Sequence, residues 1–248
     1  MHHHDLRRRL VLALDMPEPE AALALMRRTR EHVGTYKVGL ELFSAAGPAV
    51  VEQILREGAE VFLDLKLHDI PSTVAAAVRE AARLGVSLLT LHALGGPKMM
   101  GAAAEALASV VEAVPSTPTR LLGVSVLTHH TSDELAVLGL EADPVAAVLR
   151  LTQLASASGL QGCVCSAEEA ARVRASLGDD FVIVCPGIRP AGAPLGDQSR
   201  VATPYEAIRA GATYLVVGRP IRNAADPAEA AAAVLADMIR GASEGSAS

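Results

Sequence analysis

The segment from Val61 to Thr73 reads VFLDLKLHDIPST and predicts a buried strand that ends in a polar turn. Asp64 and Lys66 are two residues apart in this strand, so their side chains lie on the same face. Burial of a carboxylate and an ammonium is costly even when the two are paired, and a hydrophobic pair is often at least as stable. We therefore interpret Asp64 and Lys66, together with Asp69 just past the strand end, as residues that serve chemistry rather than folding.

The same alternation of strand and helix recurs along the chain. The predicted strands are 10–14, 35–39, 61–67, 86–92, 121–127, 162–165, 181–185 and 213–217, and the predicted helices are 17–32, 44–57, 72–84, 97–113, 143–158, 167–176, 204–210 and 226–240. Almost continuously apolar strands are typical of parallel sheets covered by helices. Eight such units in 248 residues predict an α/β fold, a closed (β/α)8 TIM barrel. An open doubly wound sheet is the alternative, but no G-x-G-x-x-G motif follows the first strand.

We expect a single catalytic domain, because no linker rich in Gly, Ser or Pro divides the chain. The barrel is expected over residues 10–241. It follows an N-terminal segment, 1–9, in which His2–His4 is either a shortened tag or native sequence, and it precedes a disordered tail at 242–248. Two stretches, 128–142 and 186–203, exceed a minimal loop, and long loops in compact domains are usually functional.

Composition narrows the class of function. The net charge is −6 and there is no long basic run, which argues against nucleic acid as a partner. The apolar runs are too short to predict a membrane span or a signal peptide. Cys163, Cys165 and Cys185 match neither a disulfide framework nor a zinc-site spacing. We therefore expect a cytoplasmic protein in which these cysteines are reduced core residues.

Polar residues gather where the predicted strands end, which in a barrel of this type is the face that carries the active site. These residues are Asp15, Lys37, Asp64, Lys66, Asp69, His92, Thr128, Gly218 and Arg219. Each one alone could be an ordinary strand-end group that reaches solvent. An alternating cluster of Asp15, Lys37, Asp64 and Lys66, however, would keep both lysines protonated and both aspartates ionised.

A second site is predicted after the last two strands, where such barrels often bind phosphate. Gly218 and Arg219 lie where strand eight meets its loop, and the loop 186–203 contains Arg189 and Gln198. Backbone N–H groups and a bidentate arginine are suited to binding an anion. The alternative is that 186–203 is an ordinary surface loop.

The histidines give weaker evidence of a functional site than these charged residues do. A histidine in an apolar strand is more often a satisfied structural group than a catalyst, and we interpret His68 and His92 in that way. His129 and His130 with Asp133 could suggest a metal, but their spacing is unconvincing and no partner cluster accompanies them. We therefore predict no metal site.

Residues 64–73 resemble the D-x-K-x-x-D-I-P-x-T signature of the orotidine 5′-monophosphate decarboxylase family, and most closely its common bacterial branch. The resemblance extends from residue 10 to about residue 230. The supporting segments are Leu14–Asp15, Tyr36–Gly39, Ser125–Thr128, Pro186–Pro190, Gly196–Gln198 and Val217–Arg219. Leu94 is a departure, because relatives more often have a small residue there.

The resemblance implies a homodimer of (β/α)8 barrels with active sites at the subunit boundary. It implies decarboxylation of orotidine 5′-monophosphate to uridine 5′-monophosphate, the last step of pyrimidine synthesis, without a metal or organic cofactor. Lys66 would protonate C6 of the pyrimidine within a network of Asp64, Lys37 and the Asp69 of the other subunit.

The resemblance also implies the contacts to substrate. Asp15 and Lys37 would hold ribose hydroxyls, and Thr73 would contact the ribose across the dimer. Thr128 would read the pyrimidine edge. The phosphate would be bound by Arg189, Gln198 and Arg219, beside Gly218.

Three other functions remain open from the sequence. A sugar-phosphate decarboxylase or aldolase-like relative would share the D-x-K-x-x-D core and often use a divalent metal. A Schiff-base aldolase would use Lys66 as its nucleophile, although the neighbouring carboxylates would keep that amine protonated. A barrel that only binds a phosphorylated ligand would show binding without turnover.

Overall fold

The computed structural model describes residues 3–115, 118–128, 130–190 and 201–245. Its centre is a closed barrel of eight parallel strands, in which each strand pairs with the next and β8 pairs with β1. The strands are β1 Leu10–Ala13, β2 Thr35–Gly39, β3 Glu60–Leu67, β4 Leu88–His92, β5 Arg120–Val124, β6 Gly162–Val164, β7 Val182–Cys185 and β8 Tyr214–Val217. The predicted (β/α)8 barrel is therefore confirmed, and the open doubly wound alternative is wrong.

Helices surround the barrel. They are α1 His3–Arg9, α2 Pro19–Thr29, α3 Leu40–Ala46, α4 Pro48–Arg56, α5 Pro71–Leu84, α6 Gly96–Ala113, α7 Ser132–Val137, α8 Pro144–Ala157, α9 Ala167–Leu177, α10 Pro204–Arg209, α11 Arg219–Arg222 and α12 Pro227–Gly245. The predicted helix 44–57 is divided at Gly47, which has φ 61° and precedes Pro48. A left-handed glycine ends one helix and proline starts the next, so one predicted helix becomes two.

The core has two layers, as a barrel requires. A small cluster fills the interior, made of Val11, Ala13, Phe62, Leu88, Leu122, Val182, Val184 and Val216. The alternate strand residues point outwards against the helices and form a larger, mostly aliphatic cluster that includes the buried cysteines. Asp64 follows Phe62 by two positions, so it lies directly above the interior cluster, towards the carboxyl ends of the strands.

Residues 3–9 and 242–245, which flank the predicted barrel, are helical. Leu6 in α1 is buried, and the carbonyl oxygen of Arg7 accepts a hydrogen bond from the Gly34 N–H at 2.8 Å. The predicted disordered tail begins too early, because α12 continues through Gly245 and Ala242 packs against the core. Residues 246–248 lie outside the described residues.

Within the described part of the chain, no helix is both long enough and apolar enough to cross a membrane.

Candidate active site

A bulge in β3 shapes the site. The pairing of β3 with β4 runs through Leu63↔Leu89 and resumes at Leu67↔Leu91, so three residues of β3 lie opposite one residue of β4. Lys66 lies within this bulge and has φ 49°, a left-handed conformation that a lysine rarely adopts. Bulges redirect side chains, and strained backbone of this kind concentrates at functional sites.

The structure brings four predicted charges into one chain of contacts at the carboxyl ends of β1 to β3. The Lys66 ammonium lies 2.9 Å from Asp64 Oδ2, and the Lys37 ammonium lies 3.6 Å from the same oxygen. Lys37 also donates a hydrogen bond to Asp15 Oδ1 at 2.7 Å. The signs therefore alternate from Asp15 through Lys37 and Asp64 to Lys66, and each charge lies next to its opposite.

Asp64 is the most constrained member of this network. It is only 9% exposed, and burial by itself raises the pKa of a carboxyl group. The charges of Lys37 and Lys66, with hydrogen bonds from Lys66 and Thr90, outweigh that effect and hold the pKa of Asp64 below its usual value. Asp64 is therefore an anion fixed between two cations.

A cavity of about 220 Å³ opens above this network. Lys37, Asp64 and Lys66 form its charged side, and Thr128 lies at its lining. Its other walls are apolar and are made by Phe62, Val124, Val126, Leu127, Val164 and Val216. Such a half-charged, half-apolar cavity suits a flat heterocycle that presents a reacting group to the lysines.

A second cavity, of about 260 Å³, adjoins the first, since Lys37, Pro186 and Val216 line both. Its lining contains Asp15, Gly218 and three arginines, Arg189, Arg219 and Arg222. Arg189 is buried, its N–H bonds the Ala202 carbonyl at 2.9 Å, and its guanidinium donates to the Ile188 carbonyl at 2.9 Å. This concentration of guanidinium groups suits an anion with several oxygens, such as phosphate. Gln198 lies outside the described residues.

Asp69 and Thr73 are not part of this cluster within one chain. Both are exposed beyond the end of β3, and neither lines the two cavities. Asp69 Oδ1 accepts a hydrogen bond from the Ile70 N–H at 2.6 Å, while the Ile70 side chain is 63% exposed.

Sequence reasoning missed two residues of the site. Thr90 contacts Asp64, and in the sequence it could be noticed only as a residue with a hydroxyl group within the apolar run of β4. Arg222 lines the second cavity and donates a hydrogen bond to the backbone carbonyl of Asp15, a contact that joins α11 to the loop after β1 and leaves no local pattern.

His92 is not the satisfied structural group that we expected. Its buried Nδ1 has no hydrogen-bond partner among the described residues, and its ring stacks on His68 with centroids 5.4 Å apart. Burial, with the neighbouring His68, Lys66 and His130, lowers the pKa of His92. Among the described residues, no group of three potential metal ligands is found.

Comparison with known proteins gives consistent matches along the chain. Residues 8–234 match the family described as "Orotidine 5′-phosphate decarboxylase / HUMPS family". A protein named orotidine 5′-phosphate decarboxylase from Halorhodospira halophila is 52% identical over 230 residues, covering 93% of this chain and 95% of that protein. A protein of the same name from Anaeromyxobacter sp. (strain K) is 51% identical over 230 residues, covering 93% and 98%.

Solved structures agree with these matches. The crystal structure of orotidine 5′-phosphate decarboxylase from Lactobacillus acidophilus has a TM-score of 0.81 and 36% sequence identity, covering 93% of this chain and 99% of that one. The corresponding enzyme from Pyrococcus horikoshii has a TM-score of 0.73 at 26% identity, covering 93% and 99%.

Proposed function

The chain belongs to the orotidine 5′-phosphate decarboxylase / HUMPS family, and we propose from its site how it converts orotidine 5′-monophosphate to uridine 5′-monophosphate and carbon dioxide. The observation that carries the proposal is the joined pair of cavities. One has the Asp64–Lys66 pair at its charged side, and the other is lined by three arginines.

The two cavities fit the two ends of a nucleotide. The pyrimidine occupies the first, with Thr128 at its polar edge, and the phosphate occupies the second, bound by Arg189, Gln198 and Arg219 beside Gly218. Lys37 lines both cavities, and Asp15, its hydrogen-bond partner, lines the second, so these two residues hold the ribose hydroxyls between the two ends of the nucleotide. Arg222 adds a further cation near the phosphate.

Lys66 carries the chemical step. The bond between C6 and the carboxylate breaks, carbon dioxide leaves, and the electron pair stays in an sp2 orbital at C6 that the ring cannot delocalise. The Lys66 ammonium stabilises this pair and then donates a proton to C6, and solvent restores the proton to Lys66. We propose that no cofactor takes part. The fixed charge of Lys66 then stabilises the electron pair at C6, whereas in other decarboxylases a cofactor accepts that pair.

The remaining charges prepare Lys66 for this step. Asp64 holds the ammonium at 2.9 Å, while Lys37 lies 3.6 Å from the same carboxylate oxygen. Asp64 also faces the position of the substrate carboxylate, but we give such ground-state destabilisation a secondary role. Phosphate binding supplies energy remote from the reacting carbon, and this energy organises the charged network.

We propose that the protein acts as a cytoplasmic homodimer. Asp69 and Thr73 are exposed and line neither cavity of their own chain, which supports a role for them in the site of the neighbouring subunit. Three large apolar side chains near the same face are exposed, namely Leu40, Ile70 and Leu94 at 57%, 63% and 41%. Apolar side chains exposed around a polar site are a common feature of protein interfaces.

The test is turnover of orotidine 5′-monophosphate, followed as loss of its absorbance in the presence of a chelator. We expect full activity with chelator and no adduct trapped by borohydride. Loss of activity with chelator would favour a metal-dependent sugar-phosphate relative, and a trapped adduct would favour a Schiff base at Lys66. Binding of the nucleotide without turnover would leave only a ligand-binding role.

A further inference from the structure

Thr90 lies where the ladder between β3 and β4 is interrupted. It occupies the position between Leu89 and Leu91, which pair with Leu63 and Leu67 on either side of the bulge. Thr90 is fully buried, and on β4 it is the only residue opposite the bulged segment 64–66. Its side chain therefore meets a stretch of β3 backbone that has lost its regular partner.

The Thr90 hydroxyl makes two hydrogen bonds across this gap. Its Oγ1 accepts a bond from the backbone N–H of Lys66 at 2.9 Å and donates to Asp64 Oδ1 at 2.9 Å. The first bond replaces the ladder bond that Lys66 cannot make, because a buried N–H without an acceptor is costly. The second fixes the carboxylate whose other oxygen bonds the Lys66 ammonium.

We propose that Thr90 is a positioning residue that sets both the backbone and the ammonium of Lys66. One hydroxyl holds the left-handed turn from which the Lys66 side chain starts. The same hydroxyl holds the carboxylate on which the ammonium ends. Lys66 is thus fixed at two points, although its own side chain is long and flexible.

This inference rests on the proposed function of Lys66 and extends it to a residue that does not line either cavity. A catalytic group that is displaced by about 1 Å can lose about 100-fold in rate. Loss of the hydroxyl should therefore affect turnover more than nucleotide binding, because Thr90 does not reach the phosphate side of the site.

The experiment compares Thr90→Val, which keeps the shape but removes the hydroxyl, with Thr90→Ser, which keeps the hydroxyl. We expect Thr90→Val to lower kcat by about 10- to 100-fold while KM changes less than about 3-fold, and Thr90→Ser to retain most of the wild-type kcat. Thr152→Val is the matched control, because Thr152 is a buried threonine whose hydroxyl bonds the Leu149 carbonyl of its own helix, and the kcat of this variant should stay at the wild-type value. If Thr90→Val does not fold, Thr90→Ala replaces it in the comparison.

Two results would overturn the proposal. These are an unchanged kcat in Thr90→Val, or an equal loss of kcat in Thr90→Val and Thr90→Ser.

A crystal structure of Thr90→Val gives a readout that does not depend on turnover. We expect a changed Lys66 φ or a longer contact between Lys66 and Asp64, and an unchanged site would count against the role. Absence of turnover in the wild-type protein would instead refute the proposed function, and the crystal structure would still decide the role of Thr90.

Discussion

Asp64 accepts a hydrogen bond from the ammonium of Lys66 at 2.9 Å through the same oxygen that faces Lys37 at 3.6 Å. One carboxylate thus neutralises part of two cations in a site that is largely buried. The arrangement holds the Lys66 ammonium in position before substrate arrives. It also makes Asp64 important for stability as well as for chemistry, because its removal leaves two ammonium groups that repel each other.

The first prediction concerns the pH dependence of stability. The pKa of Asp64 is lower in the folded protein than in the unfolded chain. Its contribution to the free energy of unfolding is therefore present above the unfolded pKa of about 3.9 and is lost as pH falls through the lower, folded pKa. We expect Asp64→Asn to lower the free energy of unfolding by about 1–3 kcal/mol at pH 7, and we expect the difference to shrink below about pH 4.

Urea unfolding between pH 3 and pH 7 measures this difference. Asp179→Asn, at an exposed position, is the control and should change stability by less than about 0.5 kcal/mol. A variant that is more stable than wild type at pH 7 would show that the two lysines do not offset the cost of burying Asp64.

The second prediction tests the proton donor. Lys66→Ala should lower kcat by at least about 100-fold, because both the stabilising cation and the proton are lost. Affinity for uridine 5′-monophosphate, measured by calorimetry, should largely survive, since the phosphate site is separate. Lys98→Ala, at an exposed position on α6, should behave as wild type. Retained turnover in Lys66→Ala would exclude the proposed role.

The third prediction concerns the phosphate site. Arg219→Ala should weaken binding of uridine 5′-monophosphate by about 10- to 100-fold, because hydrogen bonds to charged groups are the strong ones. Binding of the nucleoside uridine should stay unchanged. Arg83→Ala is the control, since Arg83 is exposed and pairs with Glu80 on its own helix. Equal losses for nucleotide and nucleoside would show that Arg219 acts on the fold rather than on phosphate.

The barrel could be predicted because its evidence is local. Each strand is a short apolar run, and strands such as β2 and β4 therefore fall within two residues of their predicted ranges. Short helices such as α7 and α11 lack an alanine-rich pattern and were not predicted. Asp64 and Lys66 could also be singled out, because charge in an apolar strand is visible in the sequence. The division between α3 and α4 at Gly47 was not predicted, because a single glycine inside a helical pattern is usually tolerated.

The bulge could not be predicted, because its cause lies on another strand. A positive φ usually selects glycine, but residue 66 is a lysine, so its identity gives no sign of the left-handed turn. The turn depends on Thr90, which is distant in sequence and pairs with the backbone of Lys66 only after β3 and β4 have come together. Contacts of this kind, including the bond from Arg222 to Asp15, follow from tertiary structure alone.

The fourth prediction tests whether sites are shared between subunits. Mixing Lys66→Ala with Asp69→Ala subunits should restore about a quarter of the wild-type activity, because half of the randomly exchanged dimers are mixed and each has one intact site. Each variant alone should be inactive. Mass spectrometry of the mixture confirms exchange. If mixed dimers form and activity stays absent, Asp69 serves its own chain and the shared site is wrong.

The fifth prediction uses a glycine that lies against the charged network. Gly39 has φ −97°, which any residue can adopt, but an added Cβ would lie 2.8 Å from the Lys37 ammonium and 3.1 Å from Asp15 Oδ1. Both atoms end flexible side chains, so Gly39→Ala should move them apart and change thermal stability little.

We expect the kcat/KM of Gly39→Ala to fall about 10-fold or more, because the Lys37 ammonium and the Asp15 carboxylate hold the ribose. Gly101→Ala on α6 is the control, because an added Cβ there would meet no described residue within 4 Å apart from its own helix backbone, and this variant should keep full activity with a small gain in stability. Full activity in Gly39→Ala would mean that the contact between Lys37 and Asp15 can shift without cost to the reaction, and Asp64 alone would then position Lys37.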